Sequence, residues 1–411
     1  MTSNRSIYVG LDLASDQEVT AAGLLKLERR GIMEFGEFAY GKRYLASPRA
    51  FALNPDYLPL KDAAMTITGQ RLRDGGALPL TFRDVLPDSW GMRVLQAQHG
   101  RALSDVDCLL LSNSDRIGAM VFSETLPILG VDSGVNLVPL EALAEAVRSL
   151  ELSMEITPKM RRLLQGGGTL GGARPKASFV HENKRWLAKF PAQGDDHDVQ
   201  LLEMSLLDVA RKCGIEVSPA KLEKIHRGNA LLLLRFDREG FVGNERRIHY
   251  LSASALLNIP YESNGGSYLE LAQILRRISS NPTRDLEQLF RRMILNLVID
   301  NTDDHVKNHG VLYVGDGQYR LSPAFDVVMQ LTNLGYQELA IDPGNHESKI
   351  ALAIKIAPSF GIHEQAASEV IESIHSMVKN ELIPIVRKYG GDERLIERVN
   401  ACLERQHKIV F

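Results

Sequence analysis

From about residue 265 onward the apolar positions recur with a helical period, whereas before it helical and strand-like patterns mix. SIYVGLDL (6–13) is rich in β-branched and aromatic residues and predicts a first strand. FRDVLPDSWGMRVLQAQHG (82–100) carries a helical pattern that ends before Gly100. DRIGAMVFS (115–123) reads as a short buried strand, and VPLEALAEAVRSLELS (138–153) as an amphipathic helix. TPKMRRLLQ (157–165) is helical and runs into the Gly-rich GGGTLGGARPKA (166–177).

SFVHENKRWLAKFP (178–191) alternates apolar and polar residues around Glu182-Asn183, which predicts a hairpin. VQLLEMSLLDVARKCG (199–214) predicts a helix stopped by Gly214, and NALLLLRFDREG (229–240) a buried strand leaving into a polar turn. In PTRDLEQLFRRMILNLVID (282–300), Leu286, Leu289, Phe290, Met293, Ile294, Leu297 and Val298 share one helical face. Asn281-Pro282 is its start signal. The helix leads directly into NTDDHVKNHG (301–310), then a hairpin, VLYV-GDG-QYRLS, and PAFDVV. The stretch from Glu364 is helical again.

At 411 residues the chain is too long for one average domain. The pattern divides it into 1–150, 151–260 and 261–411. A net charge of −3 gives no electrostatic reason to expect non-specific nucleic-acid binding. The three cysteines, Cys108, Cys213 and Cys402, form no CxxC and read as reduced core thiols. With no long apolar run and no apolar leader, a soluble, cytoplasmic protein without membrane contact is expected. The Asp115-Arg116 pair and the Asp88-Ser89-Trp90 turn read as structural.

Three segments carry candidate chemistry. Gly166, Gly168 and Gly171 match GxGxxG, yet no Gly-Lys-Ser/Thr follows, and a helix rather than a strand precedes. Two readings stay open: a lid of bare backbone N–H groups over nucleotide phosphates, or a flexible linker. Lys189 lies in an otherwise apolar strand and must place its ammonium on a phosphate, on an acid such as Glu203, or in solvent at an edge.

The third is the loop at 301–310. Asp303 stands five residues before Asn308, and Asp326 follows eighteen residues later, beyond the hairpin. That is the spacing of a phosphoryl-transfer loop. Asp303 can accept a hydroxyl proton. Asn308 and Asp326 offer the oxygen ligands that Mg²⁺ prefers. Lys307 can neutralise transferred phosphoryl charge, and His305 can shape the loop. Asp304 lacks the spacing and reads as solvent-facing or loop-capping. A transition-metal hydrolase site from His305, His309, Asp303 and Asp304 has no HExxH to support it, and no GxSxG elbow supports a serine triad. Between these segments, Leu234, Arg235 and Phe236 are candidates to grip an adenine, with Asp237 either on the ribose or paired with Arg238.

The ordered set TLGGARPKA, LAKFP, LLRFDREG, NTDDHVKNHGVLY and LSPAFDVV closely resembles the HipA-type serine/threonine kinases, toxins of bacterial toxin–antitoxin modules. LPDSWGMRVLQ and DRIGAMVFS look like that family's small N-terminal subdomain. The resemblance implies an α+β, protein-kinase-like two-lobed fold with an N-terminal α/β subdomain (1–150), a β-rich nucleotide lobe (151–260) and a helical C-lobe (261–411). It makes Asp303 the catalytic base with Lys307 beside it, and Asn308 and Asp326 the Mg²⁺ ligands. For ATP it implies Gly171, Gly172, Ala173, Arg174, Pro175 and Lys176 over the phosphates, and Lys189 on them with Glu203 as its partner. Leu234, Arg235, Phe236 and Asp237 form the hinge side; His305, Val306, Lys307, Asn308, Phe325 and Asp326 complete the site. The family commonly autophosphorylates a serine in the Gly-rich loop; Thr169 stands there in this chain, with Ser178 a weaker substitute. The implied partners are a small helix-turn-helix antitoxin, HipB-like, operator DNA through that antitoxin, and a protein substrate such as an aminoacyl-tRNA synthetase. A small-molecule or lipid kinase using the same DxHxxN core, and a transcriptional co-repressor with little kinase activity, are the alternatives.

Overall fold

The computed structural model describes residues 2–411 except 14–17, 72–75, 113–114, 130–137, 153–156, 158–159, 161–162 and 165–173. The chain forms two compact units, Met1–Ala188 with Asp237–Leu251, and Lys189–Phe236 with Ser252–Phe411.

In the first unit, strands β1 (Thr2–Leu11), β2 (Thr20–Arg30), β3 (Met33–Tyr40), β4 (Met65–Arg71) and β5 (Met120–Ser123) form one sheet, ordered β4-β3-β2-β1-β5. The pairings along it are antiparallel. Ile7, Val9 and Leu11 alternate inward along β1 and are buried with Leu25 and Phe38. Phe82, from the short helix α2 (Leu80–Arg83) that follows α1 (Lys42–Leu45), meets Phe38 and Phe122 edge-on at 5.4 and 5.5 Å. Helix α3 (Ser89–His99) ends at Gly100, whose φ of +66° is the left-handed cap that glycine takes without a Cβ penalty. Helices α4 (Asp105–Leu111) and α5 (Leu140–Glu151) complete this part. Ser104 and Asp107 cap α4 reciprocally.

The hairpin expected at Glu182-Asn183 is β6 (Lys176–His181) and β7 (Lys184–Lys189). Both turn residues have positive φ, +50° and +58°, the twist that matches a two-residue hairpin loop. The RFDREG segment enters this unit at Asp237. Its Asp237 carboxylate accepts from Gly118 N (2.8 Å) and from Arg238 Nη1 (2.6 Å). Arg238 and Arg247 also donate to the Gly118 carbonyl, and Arg247 to Asp12 at 2.7 Å. Strands β10 (Arg238–Phe241) and β11 (Asn244–Arg247) are thereby tied to DRIG. Asp115 pairs with Arg185, and Arg116 donates to the Leu109 and Ser112 carbonyls, as befits structural residues.

In the second unit, helix α6 (Val199–Lys212) is followed by β8 (Ala220–Lys224), antiparallel to β9 (Asn229–Leu234). Gly214, at φ +74°, follows the end of α6. After β12 (Tyr250–Ser252) at the join come α7 (Ala253–Leu257), α8 (Tyr268–Ile278) and α9 (Pro282–Val298). Asn281 accepts from Arg284 N, and Pro282 occupies the first turn of α9, where its missing N–H costs nothing. The seven apolar positions read from the sequence are all buried, against α8, α11 (Glu364–Lys388) and α12 (Glu393–Val410). Hairpin β13 (Gly310–Gly315) and β14 (Gln318–Leu321) turns through Asp316 and Gly317, both at positive φ. Helix α10 (Ile350–Ile356) follows. All three cysteines are buried and free. Among the described residues no helix is long and apolar enough to cross a membrane.

Candidate active site

The second unit gathers its chemistry around Lys189. The lysine is buried at the end of β7, in the apolar run LAKFP. Its Nζ donates to Glu203 Oε1 on α6 at 2.6 Å and contacts Asp326 Oδ1 on its other side. Burial works against the lysine's charge, but Asp326 and Glu203 together outweigh it and hold the ammonium above its ordinary range. Of the partners open to Lys189 from sequence, the acid is present, and a second acid joins it.

Asp326 sits at φ +53°, in the left-handed region that aspartate tolerates better than most residues. Phe325 before it packs on Phe236 with ring centroids 5.5 Å apart. The end of β9 is thus fixed beside the Asp326 segment. Leu234 N donates to the Pro219 carbonyl, and Arg235 is buried.

The loop at 301–310 leaves α9 through Asp300, itself at φ +58°. Asn308 N donates to the His305 carbonyl (2.8 Å), and Asn308 Nδ2 to the Asp303 carbonyl (3.0 Å). These bonds close the turn between the proposed base and the proposed metal ligand. With Nδ2 so engaged, Oδ1 is the atom Asn308 would offer a hard cation. His305 Nδ1 accepts from Lys307 N, and the Lys307 ammonium lies 5.1 Å from the centre of the Tyr261 ring. Val306 is buried and its carbonyl accepts from Ser254 N.

Asp303 is an exposed residue between the buried Thr302 and Asp304. Desolvation raises its pKa against the pull of His305, and the Asp326 carboxylate raises it further. Its side chain lies against that of Glu338, whose own pKa is raised by burial and by Asp303. Glu338 was not singled out in the sequence. It comes to Asp303 because Glu338 N donates to the Thr302 carbonyl and Leu339 N to the Asp304 carbonyl. No spacing rule signals that contact.

Asp304 departs from expectation. It is neither solvent-facing nor a loop cap: its side chain is 2% exposed and accepts from the Tyr268 hydroxyl and His309 Nε2 (3.0 Å). Asn296 on α9 donates to the same hydroxyl at 3.0 Å. Burial opposes the charge on Asp304, yet His309 and Tyr268 hold its pKa below the ordinary value. Asp304 anchors the loop from beneath, which leaves Asp303 as the outward carboxyl. His309 is engaged with Asp304, and among the described residues no group of three His, Cys, Asp or Glu could hold a metal. The hydrolase alternative therefore finds no donor set.

Magnesium asks less of a protein: one or two oxygen ligands, with water and phosphate supplying the rest. Asn308 and Asp326 are the oxygen donors that would supply them, and the Asp326 side chain is one-third exposed. Thr169, Gly171, Gly172 and Ala173 lie outside the described residues. Arg174, Pro175 and Lys176 belong to the first unit, as do Ser178 and Asp237. There the Trp90 indole donates to the Lys176 carbonyl at 2.8 Å and holds the exit of the Gly-rich segment.

A family model described as the HipA-like C-terminal domain matches residues 168–382, just over half of the chain. The chain belongs to the HipA-like family. It is 26% identical over 217 residues to "Putative kinase Y4mE" of Sinorhizobium fredii, covering 51% of this chain and 49% of that protein. It is 23% identical over 278 residues to the serine/threonine-protein kinase toxin HipA of Shewanella oneidensis, covering 60% and 61%. The matches thus span about half the length of the curated relatives. A solved structure of the Shewanella oneidensis HipA, HipB and operator DNA complex superposes with a TM-score of 0.70 at 16% identity, covering 98% of this chain and 96% of that one. The likeness shows the fold, and the HipA-like chain has the α+β, protein-kinase-like architecture that its motifs implied.

Proposed function

We propose that this HipA-like chain transfers the γ-phosphoryl group of Mg²⁺·ATP to a serine or threonine hydroxyl of a protein, as the toxin of a toxin–antitoxin module. The observation that carries the reading is the buried lysine, Lys189, held between Glu203 and Asp326 in the unit where Asp303 presents an outward carboxyl. A structural ion pair needs one acid; the second, Asp326, is in this reading the carboxylate that would hold the metal. Lys189 would hold nucleotide phosphates, with Glu203 keeping it charged and aimed. Leu234, Arg235 and Phe236 would grip the base, and Phe325 fixes that strand end beside Asp326.

Mg²⁺ would supply positive charge against the phosphate oxygens, and Asn308 and Asp326 are the residues that would hold it. Asp303 orients the acceptor hydroxyl and takes its proton as the oxygen bonds to phosphorus and ADP leaves. Lys307 and His305 line the same turn. The three-part division at 150 and 260, the lid role of Gly171–Lys176 and autophosphorylation at Thr169 belong to this reading. So do a cytoplasmic setting, a small helix-turn-helix antitoxin, operator DNA reached through it, and a translation component such as an aminoacyl-tRNA synthetase as substrate. The Shewanella complex of HipA with HipB and operator DNA supports the partners.

Incubating the purified chain with Mg²⁺ and γ-labelled ATP, with proteins of its host as acceptors, tests the activity. Label should enter protein with wild type and fall to background with Asp303→Ala. Undiminished transfer by Asp303→Ala would overturn the assignment.

A further inference from the structure

Beside Asp303 runs a groove of about 600 Å³. One wall is the catalytic loop, and the other is the segment from Gln330 to Glu338. That second wall is fixed at both ends. Gln330 N donates to the Asp300 carbonyl, and Thr332 N and Asn333 N to Asp300 Oδ2 at 2.8 Å each. At the other end, Glu338 N and Leu339 N donate to Thr302 and Asp304. The groove is therefore a built surface of the second unit.

Its charge is one-sided. Among the described residues that line it, the carboxyls are Asp303 and Glu338, the only other ionisable side chains are His346 and Tyr336, and no lysine or arginine occurs. Gln337, 1% exposed, also lines it; its Nε2 donates to Ser348 Oγ while its Oε1 is buried with no hydrogen-bond partner. An unmet buried acceptor calls for a donor. At the rim, Leu334 and Tyr336 stand 53% and 48% exposed, apolar surface that a polypeptide could cover.

We infer that this groove is the acceptor site and that Glu338 receives a basic side chain adjacent to the hydroxyl being phosphorylated in a polypeptide substrate. The inference rests on the phosphotransfer reading for what happens to the hydroxyl, though not for what binds. Glu338 lines the same groove as Asp303 and donates its N–H to the Thr302 carbonyl next to it, so a cation on Glu338 lies next to a hydroxyl on Asp303. A guanidinium brings the positive charge that the carboxyls favour and donors enough to pair with both.

The test separates binding from turnover. Fluorescein-labelled alanine-rich decapeptides with a central serine, flanked by arginine, alanine or glutamate, are titrated against the full chain at low salt by anisotropy. Wild type should bind the arginine peptide about tenfold more tightly than the alanine peptide, and the glutamate peptide most weakly. Glu338→Gln should flatten the ranking and Glu338→Arg should invert it. Glu369→Arg, an exposed charge reversal on α11, should leave the ranking intact and so excludes a general charge effect. Equal affinities in wild type, or a ranking untouched by Glu338→Arg, would overturn the inference. A ranking that behaves as expected without label transfer from ATP would instead sink the kinase reading and leave the groove assignment standing.

Discussion

Lys189 Nζ donates to Glu203 Oε1 at 2.6 Å while contacting Asp326, 137 residues further along the chain. Within the second unit, one buried cation therefore ties α6 to the segment after β14. Removing it takes from Glu203, 3% exposed, the ammonium that it accepts from. Lys189→Ala should lose about 3–5 kcal/mol in urea denaturation at neutral pH. It should also lose nucleotide binding in a fluorescent-ATP titration. The pH sign follows from the raised lysine pKa. Its stabilising share is fully present below the ordinary value of 10.5 and is lost as pH rises through the higher folded value. The gap between wild type and variant should therefore be constant near neutrality and close only in strong alkali. A variant as stable as wild type would show that the lysine is not held as described.

Cysteine chemistry gives an independent check on the core. Burial pushes the Cys108, Cys213 and Cys402 thiols up to about 12. At pH 8 about one in 10⁴ of each would be thiolate, and each is shielded as well. A thiol reagent should therefore find none of them in the native chain and all three after denaturation. Rapid native labelling of even one would contradict the packing around it.

Much of this was legible in the sequence because local chemistry sets it. Asn281-Pro282 starts α9, Gly100 and Gly214 mark helix ends, and Glu182-Asn183 turns the β6–β7 hairpin at positive φ. The Asp303–Asn308 interval was legible because one turn of loop, closed by Asn308 on the Asp303 carbonyl, spans it. Contacts between segments distant in sequence were not. Glu338 reaches Asp303 through backbone bonds to the loop, which leave no pattern in residue type or spacing. Asp304 was misplaced for a related reason. An aspartate in a polar run reads as solvated until the tyrosine and histidine that bury it, Tyr268 and His309, are known to converge.

Asp303 should control the acid limb of the rate profile. Desolvation and the nearby Asp326 raise its pKa, and a base works only when ionised. Activity should thus fall on the acid side at a pH above that of an ordinary aspartate, 3.8, as measured from kcat/KM against pH. Asp303→Asn should reduce kcat by about 10²–10⁴. Because the side chain is exposed, the variant's thermal midpoint should stay within a degree or so of wild type. An acid limb unchanged in residual Asp303→Asn activity would assign the base elsewhere.

The adjacent aspartates should separate cleanly. Asp304 is buried on Tyr268 and His309, so Asp304→Ala leaves both polar groups without their acceptor. The expected loss is about 3–5 kcal/mol, against almost none for Asp303→Ala. The folded-state pKa of Asp304 is lowered, so its stabilising share is present above 3.8 and disappears as pH falls through the lower folded value. Wild type and Asp304→Ala should therefore differ most near neutrality and converge in acid. Activity of Asp304→Ala should fall as well, because the loop that aims Asp303 is anchored through this carboxylate, but the loss should track the unfolded fraction and ease on cooling. If Asp303→Ala destabilised the chain and Asp304→Ala did not, the roles of the two residues would have to be exchanged.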